Sequence, residues 1–394
     1  MPGALQGVRV LDLSRYIAGP FCSMLLADMG AEVIKVEKAK KGEDSRGLCP
    51  YKNGQSLYYT SYNRNKKSVT INYRSQKGQE ILKKLIHESD VLVENFRPGS
   101  LANMGLTKEV LNELNPRLIV TSVSGFGQFG PYKDRAAFDC IAQAVSGLMS
   151  LTGEVGKPML TGTYIGDFVG ALYAAFGTVT ALYNRSVTGQ GQSLDISLMD
   201  GLISILATAI PNFIANNEIQ KPFGNRDKVT SPANVFKATD GYVYIHAGTD
   251  PLFKRLAGLM GQPELIVDER FAKSDTRMEN GEQIEQIVQE WLGDMETQDI
   301  VSQLSEAGIP VGKVNTIEDV VNDEQVRARE QIVMLDYPGM GQIAVGGVTV
   351  QMSETPGSIY SRPPLLGEHN HDVYQNLLGL SAEQINALSI DGDI

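Results

Sequence analysis

The chain has 394 residues, too many for one ordinary hydrophobic core, so its length predicts two domains. Hydrophobic residues make up 42% of the chain and charged residues 21%, as is typical of soluble globular proteins. The formal net charge of −11, from 35 basic and 46 acidic residues, argues against nucleic acid as a partner.

Targeting signals and metal-binding patterns are not apparent in the chain. The three cysteines are scattered and no CxxC pattern occurs, which indicates reduced thiols in a reducing compartment. The four histidines form no metal-spaced cluster, so we expect no metal. The N-terminus lacks a signal peptide, and no run approaches the roughly 18 apolar residues of a membrane span. We therefore expect a cytoplasmic protein without a membrane partner.

The chain begins with a β-loop-α-β pattern. Residues 8–13 form an apolar strand, residues 21–29 have helical periodicity and residues 31–36 form the next strand, which ends at Glu37. This layout is typical of a dinucleotide fold. The loop lacks the GxGxxG pattern that a pyrophosphate requires, so we expect no NAD.

Helices and strands continue to alternate along the chain. Helices are predicted at 79–87 and 108–114, and strands at 91–95 and 117–123. Such alternation predicts an α/β fold with a parallel sheet covered on both faces. Ligands bind beyond the carboxyl ends of such strands, where the loops 15–18, 37–38, 95–99 and 124–131 fall.

Two aspartates begin predicted helices in the next segment. Asp139 opens a helix over residues 139–150, and Asp167 opens a small-residue, apolar helix that we expect to be buried. Each Asp is first interpreted as an N-cap, and each is a candidate nucleophile. A strand within 189–197 and a long helix over 198–215 follow.

The pattern changes after residue 216. A hairpin with an Asp240-Gly241 turn and several amphipathic helices predict a smaller α+β domain. Short strands and a terminal helix near residues 381–388 end the chain.

Several stretches, in this order and spacing, resemble the class III CoA-transferases, the formyl-CoA transferase and CaiB–BaiF family. They are residues 7–20, 30–37, 63–68, 93–99, 124–131, 188–192 and 362–369. The resemblance implies a Rossmann-like large domain formed by residues 1–216 and completed by 326–394, a small domain at 217–325, and an interlocked homodimer.

The same resemblance implies the reaction. Family members move coenzyme A from an acyl-CoA donor to a free carboxylic acid, and an Asp in a Gly-Asp pair is the nucleophile. Here the pair is Gly166-Asp167, which would pass through a mixed anhydride and an aspartyl-CoA thioester. The Gly166 amide would orient the nucleophile or stabilise an oxyanion. We expect small organic acids, including dicarboxylic acids, as acceptors and no metal or NAD.

Two alternatives remain open. In the related α-methylacyl-CoA racemases a His occupies the position of Phe138, and a racemase needs a base on each face of the α-carbon. Phe138 therefore argues against racemisation or isomerisation, the first alternative. A non-catalytic CoA-binding protein is the second. Phe138, Asp139 and Gln143 are predicted to line the acyl pocket.

Positions within the family also imply the CoA contacts. The diphosphate and 3′-phosphate of CoA require basic side chains and exposed amides. The predicted contacts are Tyr16, Ile17, Ala18, Lys38, Asn95, Arg97 and Lys133.

Overall fold

The computed structural model describes residues 3–394, which form two compact units. The first comprises residues 3–148, 160–211 and 325–394, and the second comprises residues 149–159 and 212–324. The segment 149–159, which the sequence places in the large domain, belongs to the second unit. The assignment of 1–216, 217–325 and 326–394 to folding domains stays a prediction.

The first 145 residues supply seven strands and six helices. The strands are β1 (Arg9–Asp12), β2 (Glu32–Lys38), β3 (Tyr51–Lys52), β4 (Gln55–Ser56), β5 (Lys66–Ile71), β6 (Val91–Glu94) and β7 (Ile119–Ser124). The helices are α1 (Ala18–Asp28), α2 (Leu57–Ser61), α3 (Gln76–His87), α4 (Ser100–Asn103), α5 (Lys108–Leu114) and α6 (Asp139–Val145).

Residues 148–216 supply the next elements. They are α7 (Leu148–Leu151), β8 (Gly153–Glu154), β9 (Lys157–Pro158), α8 (Ile165–Thr188), β10 (Ser193–Ser197), α9 (Leu198–Ser204) and α10 (Ala209–Asn216). Two predicted helices are interrupted here. The helix expected over 139–150 breaks at Gly147, which has a positive φ of 93°. The helix expected over 198–215 breaks because Pro211 lacks an amide and its ring obstructs the carbonyl of residue 207.

The first unit is built on one parallel sheet, as predicted. Its strand order is β10-β7-β6-β1-β2-β5, with Val10 opposite both Val33 and Val91. Alternate residues enter a separate hydrophobic core on each face of the sheet. All six strands are parallel, so their carboxyl ends share one edge.

Helix α8 packs on α1, α9 and β7 through small residues. These include Gly170, Ala171, Ala174, Thr178 and Ala181. The helix is buried on one side only, because its other side exposes large apolar residues. These are Leu172, Tyr173, Phe176, Val179, Tyr183 and Val187.

The length of α8 corrects one expectation from the sequence. Its 24 residues are long and apolar enough to cross a membrane, so the expectation that no run approaches that length is wrong. A core helix of a globular protein satisfies the same criterion, so one such helix is weak evidence for a span. The absence of a membrane partner stays a prediction.

The second unit contains the predicted hairpin. Strands β11 (Ala233–Lys237) and β12 (Tyr242–His246) are antiparallel, and β13 (Val311–Lys313) pairs with β12. Asp240 in the turn accepts hydrogen bonds from the amide and hydroxyl of Thr297. The helices are α11 (Asp250–Leu259), α12 (Ser274–Glu279), α13 (Gly281–Leu292), α14 (Thr297–Glu306) and α15 (Ile317–Asn322).

The C-terminal part returns to the first unit. Its elements are α16 (Glu324–Ala328), β14 (Ile332–Tyr337), β15 (Gly341–Gly346), α17 (Asn370–Asn376) and α18 (Ala382–Asp391). The Tyr374 hydroxyl donates to the Thr70 carbonyl, and the Asn72 amide donates to the Asp393 carbonyl. The last two helices of the chain therefore pack beside β5, the edge strand of the sheet, whereas β14 and β15 form a separate two-stranded sheet.

Candidate active site

Asp167 is the third residue of α8 and is not its N-cap. The N-cap position is held by Tyr164, whose side chain makes no capping hydrogen bond. Asp167 is partly buried, and within residues 3–394 its carboxylate has neither an ion pair nor a hydrogen-bond donor. The Asp167 carboxylate is therefore not used for capping the helix.

The first amides of α8 are held by Asp139 instead. Asp139 Oδ1 accepts hydrogen bonds from the amides of Gly166, at 2.7 Å, and Asp167, at 3.4 Å. The Gly166 amide is therefore occupied, which removes it as a free oxyanion donor in this structure. Its contribution is to fix the start of the helix.

Burial, followed by the negative charge of Asp139, raises the pKa of Asp167 from 3.8 to about 7. An isolated acid at a helix N-terminus would normally be favoured in its ionised form by the helix dipole. Here desolvation and a like charge outweigh that effect. Near neutral pH Asp167 therefore exists in both protonated and ionised forms.

Asp139 and Gln143, which are predicted to line the acyl pocket, are not among the residues that line the cavity next to Asp167, and their part in acyl binding stays a prediction. Both are buried, and Gln143 Nε2 donates to Asp139 Oδ2 at 2.7 Å. Phe138, one residue earlier, is 66% exposed and its ring packs edge-on against Tyr16. Of these three residues, Phe138 is the one that lines the cavity beside Asp167.

A cavity of about 220 Å³ lies beside Asp167, at the carboxyl edge of the sheet. Six other predicted residues line it: Tyr16, Ala18, Asn95, Arg97, Lys133 and Phe138. Four further lining residues were not singled out as contacts, although three of them lie in loops 15–18 and 124–131, which the sequence placed at this edge. They are Arg15, Ser124 and Arg135, together with the backbone of Gly125. Within residues 3–394, Asp167 is the one acidic side chain on a wall that carries four cations.

The loop after β1 is held rigidly against the cavity. Asn95 accepts a hydrogen bond from the Arg15 amide at 2.8 Å and donates one to the Arg15 carbonyl at 2.7 Å. Tyr16 has a positive φ of 64°, which is strained for a residue with a side chain. Ile17 is only 1% exposed and is not among the residues that line the cavity, so its side chain belongs to the core, and its contact with CoA stays a prediction.

A buried charge cluster lies directly beneath this loop. The Asp12 carboxylate contacts the ammonium groups of Lys66, at 3.0 Å, and Lys35, at 3.7 Å. It also accepts hydrogen bonds from the hydroxyls of Ser14 and Ser23. Lys35 and Lys66 donate in turn to the carbonyls of Ser14 and Pro20, which fixes both ends of the loop.

Lys38 is not among the residues that line this cavity, and its contact with CoA stays a prediction. Its ammonium group lies 3.2 Å from Asp44, whose other oxygen accepts from Arg15 at 2.7 Å. Lys38 therefore acts on the site through Asp44 and Arg15. The sequence could not reveal this chain of contacts, because Asp44 lies in a 3₁₀ turn that no periodicity predicts.

Two polar atoms on the cavity wall fit a ligand. Ser124 Oγ and Arg15 Nε are buried and have no hydrogen-bond partner within residues 3–394. Buried polar atoms are nearly always paired, so these two are available to a bound molecule. Together with the exposed cations Arg97 and Lys133 they suit the phosphates and amides of an acyl-CoA.

An aromatic cluster covers the other side of Asp167, and the sequence-based interpretation missed it. Tyr58 contacts Tyr62 and Tyr164, and Phe168 contacts Tyr62 and Phe21. Burial, together with the charge of Asp167, raises the pKa of both Tyr58 and Tyr62. The density of tyrosines in residues 58–62 was the available signal.

Comparison with known proteins gives the family. The sequence model of CoA-transferase family III matches residues 5–370. Succinyl-CoA–D-citramalate CoA-transferase of Chloroflexus aurantiacus is 39% identical, over 98% of this chain and 97% of its own length. Mouse succinyl-CoA:glutarate CoA-transferase is 36% identical, over 99% of this chain and 90% of its own length.

Solved structures agree with the sequence comparison. A CaiB/BaiF family protein from Brucella suis has a TM-score of 0.86 and 34% identity, covering 96% of this chain and 100% of its own. The resemblance noted in the sequence is thereby confirmed. The chain belongs to CoA-transferase family III and is a CoA-transferase.

Proposed function

We propose that Asp167 is the nucleophile of this CoA-transferase and that the cavity beside it binds the acyl-CoA. The observation that carries the proposal is that Asp167, unpaired and with a pKa raised to about 7, faces a wall of cations. A carboxylate with these properties is a better nucleophile than an ordinary surface acid, because nucleophilicity rises with basicity.

The first half-reaction makes an enzyme-bound thioester. The ionised carboxylate of Asp167 attacks the thioester carbonyl of the donor, which forms a mixed anhydride and releases the CoA thiolate. The thiolate then attacks the aspartyl carbonyl, giving an aspartyl-CoA thioester and the free donor acid. No external energy is needed, since each intermediate keeps an activated acyl group.

The second half-reaction runs the same steps in reverse. The acceptor carboxylate attacks the aspartyl thioester, forming a second mixed anhydride and the CoA thiolate. The thiolate attacks the acceptor's carbonyl, which yields the new acyl-CoA and restores the Asp167 carboxylate. Water would hydrolyse each intermediate, so the aromatic cluster beside Asp167 is suited to limit its access.

The acceptor is proposed to be a small dicarboxylic acid. The relatives named above act on citramalate and glutarate with succinyl-CoA, and all of these acids are dicarboxylates. The exposed cations Arg97, Lys133 and Arg135 on the cavity wall are available to the phosphates of CoA and to acidic groups of the two substrates. Phe138 and Tyr16 supply the apolar contacts for the carbon chain.

The protein is proposed to be a cytoplasmic homodimer, with the exposed apolar face of α8 covered by a second copy. Leu172, Phe176, Val179, Tyr183 and Val187 are spaced three or four residues apart and form one stripe. A stripe of this size on a monomer is an interaction surface. Multi-angle light scattering should give twice the chain mass for the native protein, and the double variant Phe176→Arg, Tyr183→Arg should shift it towards the monomer.

One screen tests the proposed reaction. The protein is incubated with succinyl-CoA or formyl-CoA and with D-citramalate, L-malate, glutarate or oxalate, and the acyl-CoA products are identified by mass spectrometry. Hydroxylamine is added during turnover to trap the activated aspartyl group as a hydroxamate. We expect a new acyl-CoA and a hydroxamate at Asp167.

Variants of Asp167 provide the control. Asp167→Ala should lower transfer at least about a thousandfold, the effect of removing a nucleophile. Asp200→Ala should leave transfer unchanged, because Asp200 is an exposed acid in the first turn of α9. Full activity of Asp167→Ala would refute the proposal, as would exchange of the α-proton into deuterated water without any transfer.

A further inference from the structure

Asp139 is the side chain through which the start of α8 is connected to α6. Its Oδ1 accepts from the amides of Gly166 and Asp167, and its Oδ2 accepts from Gln143. Gln143 Oε1 in turn accepts from the amide of Thr161 at 3.1 Å and from its hydroxyl at 3.3 Å. The segment that leads into the nucleophile is therefore fixed at both ends by one pair of buried side chains.

The shape of this contact depends on Gly166. A Cβ atom added at Gly166 would lie 2.9 Å from Asp139 Oδ1 and 3.1 Å from Leu202 Cδ1. Both distances are shorter than ordinary van der Waals contact, so a side chain there would displace the Asp139 carboxylate. The Gly of the Gly-Asp pair thus makes room for a second carboxylate behind the nucleophile.

The charges around Asp167 come from several elements. Asp139 lies on α6, Tyr58 and Tyr62 belong to α2 and the residue after it, and Tyr164 immediately precedes α8. The cations on the cavity wall are Arg15, Arg97, Lys133 and Arg135. Asp139 is the charged group among them that raises the pKa of Asp167, while Asp167 in turn raises the pKa of Tyr58 and Tyr62.

Resting on the proposed function, we propose that Asp139 is a positioning residue for the transfer reaction. Its carboxylate occupies the first amides of α8 and places a fixed negative charge behind Asp167, which sets the direction of that side chain and its readiness to react.

Two consequences follow from this arrangement. The α8 amides that would otherwise stabilise an ionised Asp167 are neutralised by Asp139, so the nucleophile stays basic. The same bonds keep the Asp167 backbone from rotating, so its carboxylate remains on the cavity side. Both effects favour attack on a thioester, since a more basic and better oriented carboxylate reacts faster.

The pH profile of Asp139→Asn tests the proposal. Asn retains an acceptor for the Gly166 amide but loses the charge, so the pKa of Asp167 should fall. Because transfer requires ionised Asp167, the acid limb of kcat/KM should move to lower pH by about one unit, with a lower rate on the plateau. An unmoved acid limb would overturn the proposal.

A readout without activity keeps the test independent of the proposed reaction. With ¹³C-labelled aspartate, the Asp167 carboxyl signal, assigned by its loss in Asp167→Asn, should titrate near pH 7 and move down by about one unit in Asp139→Asn. Gly166→Ala should move it in the same direction, because the added methyl displaces Asp139. A midpoint that stays in place in both variants would refute the role of Asp139.

A matched control separates positioning from stability. Ser75 caps α3 by accepting from the Gly78 amide at 3.0 Å, so Ser75→Ala also removes a helix cap. It should lower the thermal midpoint and leave the pH profile unchanged. If Asp167→Ala kept full activity, the proposed function would fail, while the titration of Asp167 would still decide the Asp139 proposal. If Asp167→Ala were inactive but Asp139→Asn left the pH profile unchanged, the proposed function would stand and the Asp139 proposal would fail.

Discussion

Two carboxylates of the first unit, Asp12 and Asp167, experience opposite environments. Asp12 is fully buried at the end of β1 and contacts two ammonium groups and two hydroxyls. Burial alone would raise its pKa, but Lys35, Lys66 and the hydroxyls hold the pKa of Asp12 well below its usual range. Asp167 is less buried and lacks a cation, and its pKa is raised to about 7.

The difference shows that partners, more than depth, decide whether a carboxylate is structural or reactive. Asp12 uses its charge to hold the loop that carries Arg15 and Tyr16, so its lone pairs are occupied. Asp167 has its capping amides taken by Asp139 and retains its lone pairs for chemistry. Two carboxylates near the same edge of one sheet can therefore have pKa values shifted in opposite directions.

The largest expected effect comes from breaking the Asp12 cluster. Lys66→Met removes one of two cations and leaves the Asn63 side-chain oxygen without its donor, while the Pro20 carbonyl keeps only the Ser23 hydroxyl from outside the helix backbone. The free energy of unfolding, measured in urea, should fall by about 3 kcal/mol. This is a small loss for a broken buried ion pair, because Lys35 still neutralises part of the charge of Asp12. Lys67→Met is the matched control, because it removes a lysine from the same strand without touching the buried cluster.

Lys67 is the next residue on β5 but points outward, where it pairs with Glu32 and Asp372 at the surface. Its replacement should change the free energy of unfolding by less than about 1 kcal/mol. Equal losses for the two variants would contradict the distinction between the buried cluster and surface ion pairs.

A second prediction concerns the pH dependence of stability. The pKa of Asp167 is raised, so between pH 3.8 and about 7 the folded protein binds a proton that the unfolded chain has lost. Native stability therefore falls as pH rises through this window. The stability gained by Asp167→Asn should be larger at pH 8 than at pH 5 by about 1–3 kcal/mol, measured by urea unfolding.

Asp12→Asn should show the contrasting behaviour. The pKa of Asp12 is lowered, so its carboxylate contributes stability that is lost only when pH falls towards the folded pKa. The variant should be less stable than the native protein at both pH 5 and pH 8. If Asp12→Asn were more stable than the native protein, the desolvation penalty of the buried charges would exceed the free energy of their mutual attraction.

The smallest effect is expected at the cavity wall. Lys133→Glu should raise the KM for the acyl-CoA donor about tenfold at low salt and weaken the salt dependence of KM, with little change in kcat. Lys84→Glu, an exposed lysine on α3 away from the cavity, should leave KM unchanged. An equal rise for both variants would indicate a general charge effect.

Local patterns predicted much of the fold. The alternation of apolar strands with amphipathic helices predicted the parallel sheet. The Asp240-Gly241 turn predicted a hairpin, which the antiparallel pairing of β11 and β12 confirms. The helices predicted over 139–150 and 198–215 are each interrupted in the structure, although Gly147 and Pro211 are residues that commonly end helices. The segment 149–159 could not be assigned to the second unit, since its two short strands carry no distinct pattern.

Periodicity and local motifs were enough to predict the parallel sheet, the family and the importance of the Gly166-Asp167 pair, because each of these is recorded in short stretches of the chain. The folded chain was needed to show that Asp139 and Gln143 lie beside the start of α8, that Ile17 belongs to the core, and that Lys38 binds Asp44. The physical reason is that burial and charge pairing join residues from distant parts of the chain. The state of Asp167 depends on Asp139, 28 residues away, and no local pattern records that contact.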